Sequence, residues 1–558
     1  MKEILTYDGK KNAAELKFSY NPTWKNVELV SASVSNRNGQ VVFAGEKETN
    51  VLDADWVASA PRYPASKELV VNLPSVEVGS FVSYTVVTTV KGSPMPFYAT
   101  FYFDTFTPTD FLSVRIGDWK REVVKPKLLA DEPMLPPGQL WRDHRTESRG
   151  DFKSDAGRYR ALDPEPLDPS EILAEDFTSP STKEKPSDLL RIRDWMARHI
   201  RRVGPAFGEI RLEDHIVDPK TVLKERYATR VGYIRTLCAL LKGAGYDADI
   251  VFAGDTAQTE AEIVVRDVFV NPNVARFKYA LCRVRVRTGG FLWWGGETTT
   301  YFLGAENEYT PLGATAFNGS LFLDPQTGDF GAVAVPDVEL GAKEEEELNF
   351  AVRENGAVDL DYSLERWGYA AGTSRKRYAE MLPELRSRHF QQLLGSVAQA
   401  ASATRELETD TEGYPFSLSF SAFVPGMAVV AGDAISLDVP QLAERLFALT
   451  GSARENPVGV EGEDTEKSTT FTIRFPEGYT EIEHIPASFC FDWYAARTYS
   501  RVEDGAAVVE IEVTRDAHRA GWCLPDRAAL FREWNRIAGS QANSTIVVRR
   551  ASASTRVD

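Results

Sequence analysis

At 558 residues, with 43% hydrophobic and 11% aromatic side chains, the chain is too long for one core and apolar enough to build roughly three or four. Its formal net charge of -17 excludes nonspecific nucleic-acid binding, which needs a basic face to displace counterions, and argues against docking on an anionic membrane surface. No apolar run reaches the ~18 residues of a bilayer span, and the first residues hold neither an apolar h-region nor a cleavage motif. Such a start fits a mature or truncated form whose leader lay upstream as well as it fits a cytoplasmic protein.

Residues 1–165 read as strands. VELVSASV, VVFAGE, ELVVNL, SFVSYTVVTTV, FYATFYF and FLSVRI alternate in the period-2 manner and are separated by Asn, Gly and Pro breaks, with Asn38-Gly39 as a hairpin turn. Short alternating strands of this kind predict an antiparallel β-sandwich. A Pro- and acid-rich stretch, ALDPEPLDPSEILAEDFTSPSTKEKPSD, then marks a boundary.

Residues 166–336 open with helices. Ser187 is a predicted N-cap before LLRIRDWMARHIRRV, and DPKTVLKERY reads as a second helix. In RYATRVGYIRTLCALLKGAGYDADIVFAG, the residues Val231, Ile234, Leu237, Cys238 and Leu241 form one apolar stripe. Gly243 and Gly245 are expected to supply a left-handed stop, and Ile250-Val251-Phe252 to begin a buried strand. Strands follow in AEIVVRDVFV, FKYALCRVRVR and TTTYFLG, an α+β order.

Residues 337–558 return to strands, among them SLSFSAFV, AISLDV, STTFTIRF, AVVEIEV and STIVVRR. The exception is a helical insertion near 374–402, which Pro383 breaks or kinks, and a closing helix is expected in ALFREWNRIAG.

The helix–GAG–strand run resembles the core of the bacterial transglutaminase-like proteins of the papain-like superfamily. YNPTWKNVELVSASVSNRNGQVV, VGSFVSYTVVT and YATFYFDTFTPTDFLSVRI resemble the β-domain of unknown function that precedes that core, here with its first strand or strands upstream of the chain. ARENPV, FPEGYTEIEHIP and ALFREWNRIAG resemble the β-domain that follows it. The resemblance implies a multidomain, mainly β chain built as β-sandwich, transglutaminase-like α+β core and β-sandwich, in an exported or periplasmic setting.

It also implies a Cys–His–Asp triad. A thiolate at a helix N-terminus attacks, a His on a neighbouring strand shuttles the proton, and an Asp orients that His. By the family's motifs the three slots here hold Arg230, Tyr279 (in Phe277-Lys278-Tyr279-Ala280) and Gly304 (in Tyr301-Phe302-Leu303-Gly304). A guanidinium cannot be a nucleophile, and a cation at a helix N-terminus opposes the dipole unless an anion partners it. Glu225 and Glu306 are the expected internal partners. Cys238 and Cys282 read as core residues on a helix face and in a strand, and Cys490 and Cys523 leave a C-terminal bridge open.

The histidines are scattered, with His215 near the core's entry. No HExxH, HxH or paired-Cys spacing offers a metal site and no Gly-rich phosphate loop offers a nucleotide site, so neither metal nor cofactor is expected. The cluster Phe291-Leu292-Trp293-Trp294-Gly295-Gly296 reads either as a stacking platform or as a hairpin covering its sheet. Three readings follow. The favoured one is a non-catalytic protein binding a peptide, glycan or protein partner in a cleft of Arg230, Tyr279, Trp293 and Trp294. The others are a cysteine-dependent acyl transferase or peptidase using a relocated thiol, and a structural envelope protein without ligand.

Overall fold

The computed structural model describes residues 2–92, 98–103, 109–125, 144–148, 156–175, 180, 187–257, 277–288, 297–439, 466–491, 494–515 and 544–551. The expected strand AEIVVRDVFV, the Trp293-Trp294 cluster, ARENPV, Cys523 and the closing helix lie outside them. The chain is mainly β and multidomain.

In the first region a short helix, α1 (Tyr7–Ala13), precedes two antiparallel sheets. Lys25–Ser35 and Phe81–Val90 pair along their length in one, and Glu15–Tyr20, Lys67–Asn72 and Thr49–Asp53 make the other. Period-2 alternation buries one face of each, so Val27, Val34 and Val82 meet Leu69 and Val71 across a shared core. The Asn38-Gly39 turn forms: Gly39 takes φ +79°, and the Asn36 side chain accepts the N–H groups of Asn38 and Gln40.

The central region contains α2 (Ser170–Ala174), α3 (Asp188–His199), α4 (Pro219–Glu225) and α5 (Arg230–Gly243). Of these, α5 packs on an antiparallel five-stranded sheet that includes Asp247–Ala257 and Phe277–Thr288 as neighbours. Ser187 caps α3, its hydroxyl accepting Leu190 N–H. The helix stops at His199, earlier than its apolar pattern implied, because Arg201–Arg202 is drawn into a parallel pair with Tyr227–Ala228.

α5 differs from a one-sided stripe: every residue from Val231 to Leu241 is buried, with the sheet on one side and α3 and α4 on the other. Its interior polar groups are matched locally, Arg235 donating to the Leu162 and Val217 carbonyls and Thr236 to Gly232 O. Of the two glycines at its end, only Gly245 is left-handed, at φ +89°. Gly243 instead admits the Leu167 carbonyl, which would stand 1.8 Å from a Cβ at that position.

The C-terminal region holds an eight-stranded sheet and a four-stranded one. Phe416–Val424 alternates buried and half-exposed along its whole length. The inner faces, carrying Phe350, Phe420 and Phe471 on one sheet and Ile435, Ile546 and Val548 on the other, share a core with α6 (Gly368–Glu380) and α7 (Pro383–Val397). Pro383 does break the helical insertion, standing in the first turn of α7 where it sacrifices no internal hydrogen bond.

Candidate functional site

The site lies at the head of α5. Thr229 is its N-cap, extended at φ -62°, ψ 165°, and its hydroxyl accepts Gly232 N–H at 3.2 Å. His215, buried at 1% exposure and stacked on Phe207, stands behind that cap. Its Nε2 lies 3.1 Å from Phe207 O and its Nδ1 3.3 Å from Thr229 Oγ1. A carbonyl can only accept, so Nε2 carries the proton and Nδ1 accepts from the threonine hydroxyl. Burial lowers the His215 pKa to about 4, keeping the ring neutral at pH 7.

Arg230, the first residue of α5, projects onto aromatic faces. Its guanidinium carbon is 5.3 Å from the ring centroids of both Tyr279 and Phe317, which are themselves 5.1 Å apart. Burial pulls its pKa down and neighbouring Arg202 adds to this, while Glu306 and Tyr279 act the other way.

Of the two expected carboxylate partners, Glu225 is committed elsewhere: it pairs with Arg62 of the first region. Glu306 makes no ion pair with Arg230 within 4 Å, although its charge is felt there. The cation is held by ring faces rather than by a salt bridge.

Gly304 directly follows the strand Glu297–Leu303, whose last residue pairs with Cys282. A Cβ on Gly304 would stand 2.7 Å from Glu306 Oε1, so the carboxyl group two residues on fills the volume of a side chain at 304. Glu306 is 4% exposed and its Oε2 has no hydrogen-bond partner. Burial raises its pKa, partly offset by its own N–H, by Thr315 and Gly304, and by the charge of Arg193.

The two cysteines of this region are packed away. Cys238 and Cys282 are both fully buried in the core between α5 and the sheet. Burial, with Cys238 alongside, pushes the Cys282 thiol up, the opposite of what an attacking thiolate requires. The described histidines His199 and His389 find their partners in Trp195 O and the Tyr378 hydroxyl. No group of three potential metal ligands occurs among the described residues.

Arg230, Tyr279 and the 304–306 turn therefore belong to one neighbourhood, whereas Trp293 and Trp294 lie outside the described residues. Three participants escaped sequence reasoning. Phe317 follows no motif. Arg202 is brought in by its pairing with Ala228. Tyr63, from the first region, takes the Thr229 N–H on its hydroxyl at 3.0 Å. No spacing in a single sequence announces a contact across 166 positions.

Residues 1–123 match the DUF3857 family, a domain of unknown function with solved structure. No curated protein matches the chain. Among solved structures, the chain is similar to one described as a "putative protease from Parabacteroides distasonis", at 12% identity and a TM-score of 0.45 over 98% of this chain and 94% of that one.

Proposed function

We propose that residues 166–336 form a transglutaminase-like core whose nucleophile, base and orienting slots are Arg230, Tyr279 and Gly304, and that the protein binds a peptide, glycan or protein partner there without cleaving it. The flanking β regions, 1–165 and 337–558, hold this core. The observation that carries the reading is the Arg230 guanidinium set against the rings of both Tyr279 and Phe317 at the head of α5, where a thiolate would have to stand. A guanidinium keeps its proton at any working pH and cannot attack a carbonyl. The base slot holds a phenol in place of an imidazole. The burial of Cys238 and Cys282 supports the same reading against a relocated thiol.

The test is to incubate the full chain with peptide substrates and a labelled amine. Neither hydrolysis nor transamidation above the uncatalysed rate is expected. Turnover that disappears in Cys238→Ala or Cys282→Ala would establish the enzyme instead.

A further inference from the structure

The strand Glu297–Leu303 ends the five-stranded sheet of the central region. It pairs with Phe277–Thr288 on one side and with no strand on the other among the described residues. The register is unbroken, from Thr288 opposite Glu297 to Cys282 opposite Leu303. A strand bonds its two neighbours through alternate residues, so every second N–H and C=O here points away from the sheet. Among the described residues, no backbone bond from residues 298–303 reaches another segment on that side.

Exposed edges of this kind are commonly blunted, and most others in this chain are. Val41–Phe43, Phe330–Ala332 and Phe489–Phe491 are three residues long. Ser402–Asp410 and Tyr479–His484 are broken by register shifts, and Glu15–Tyr20 carries Glu15 and Lys17. Residues 298–303, TTTYFL, have no charge, no proline and no bulge. Thr298 is exposed and Thr299, Thr300 and Tyr301 are partly so, which leaves the edge open to solvent.

We propose that this edge takes an extended peptide segment of a partner protein as a further strand. A row of outward backbone donors and acceptors is matched by another extended chain and not by a sugar or a helix face. The side chains set its composition. Tyr301 and Leu303 pack on the core beneath α5, and Phe302 stands 5.3 Å from Phe322 on the opposite face. An added strand therefore meets apolar neighbours on both faces, which suits β-branched residues. A second copy of the chain fits less well. Seven residues make a strip about 23 Å long and one strand wide, short of the ~1,200 Å² that a stable dimer buries, and each copy carries a net charge of -17. The edge gives the proposed binding role a peptide partner but uses none of the slots at Arg230, Tyr279 and Gly304.

Calorimetric titration of the full chain with acetyl-Lys-Val-Thr-Val-Thr-Val-Lys-amide tests the pairing, alongside two versions N-methylated either at every Val or at every Thr. The parent peptide is expected to bind. One N-methylated version should be about tenfold or more weaker and the other close to the parent, because only one edge of the added strand faces the protein. Of Thr299→Pro and Thr300→Pro, the variant whose N–H faces outward should keep the parent's thermal transition and lose the peptide. No binding of the parent peptide, equal binding of all three, or undiminished binding by the folded proline variant overturns the proposal. A dimer seen in sedimentation and abolished by that same variant overturns it too, assigning the edge to a second copy. Turnover of the peptide contradicts the non-catalytic reading and leaves the strand pairing standing.

Discussion

His215 and Glu306 are two buried titratable groups of the central region, and their pKa values shift in opposite directions on folding. The His215 pKa falls from about 6.5 to about 4 on folding. The unfolded chain therefore binds the proton more readily, and stability from this group is complete above 6.5 and lost as pH falls toward 4. The loss is on the order of 2 kcal/mol by pH 5. The cleanest check is the imidazole resonance itself: it should stay in its neutral form down to pH 5, and a midpoint near 6.5 would contradict the buried Thr229–His215–Phe207 chain. Glu306 is raised rather than lowered, so its burial costs stability as pH rises above the unfolded carboxylate value. Glu306→Gln should raise the urea midpoint at pH 8 and change it little at pH 4. The helix that begins at Arg230 was legible from the sequence, because its apolar spacing and the closing Gly-Ala-Gly show in the residues themselves. The carboxyl filling the volume at Gly304 was not, since it depends on how one turn folds back on itself.

α5 is the element on which the site depends. Thr229→Ala should cost about 1 kcal/mol in unfolding free energy by chemical denaturation, the usual loss of a side-chain N-cap. Gly243→Ala should cost more, about 2 kcal/mol or above, because a Cβ would overlap the Leu167 carbonyl and backbone cannot step aside cheaply. The sequence displays this helix clearly through its apolar spacing and terminal glycines. It conceals why the two glycines differ: Gly245 needs a left-handed backbone, which local sequence signals, whereas Gly243 needs space for a segment far upstream, which it does not. The same distinction holds for the helical insertion. Pro383 marks the break between α6 and α7, but α6 begins at Gly368, held at φ +61° against the Leu340 and Gly341 carbonyls, before the helical pattern becomes obvious.

All three regions of the molecule converge on the slot. From the first region, Tyr63 and Ala60 pack with Ile210 and Tyr227, Trp56 lies against Gly204, and Tyr63 bonds the Thr229 N–H. From the C-terminal region, α6 grips the loop that follows Gly304: Lys376 pairs with buried Glu308, Arg375 donates to Tyr309 O, and Gly372 leaves room for Thr310. The first region thus braces the surroundings of the site as well as enclosing a core of its own. Gly372→Ala should loosen the C-terminal clamp, since its Cβ would stand 2.2 Å from Thr310 Oγ1, and lower the thermal transition of the whole chain. The measurement that most directly tests the proposed absence of a reactive thiol is iodoacetamide labelling of the native chain at neutral pH, mapped peptide by peptide. Cys238 and Cys282 are predicted to stay unmodified until the chain is unfolded. Rapid, stoichiometric modification of either thiol in the folded protein would contradict it, placing a reactive thiolate where a buried, inert sulfur is described.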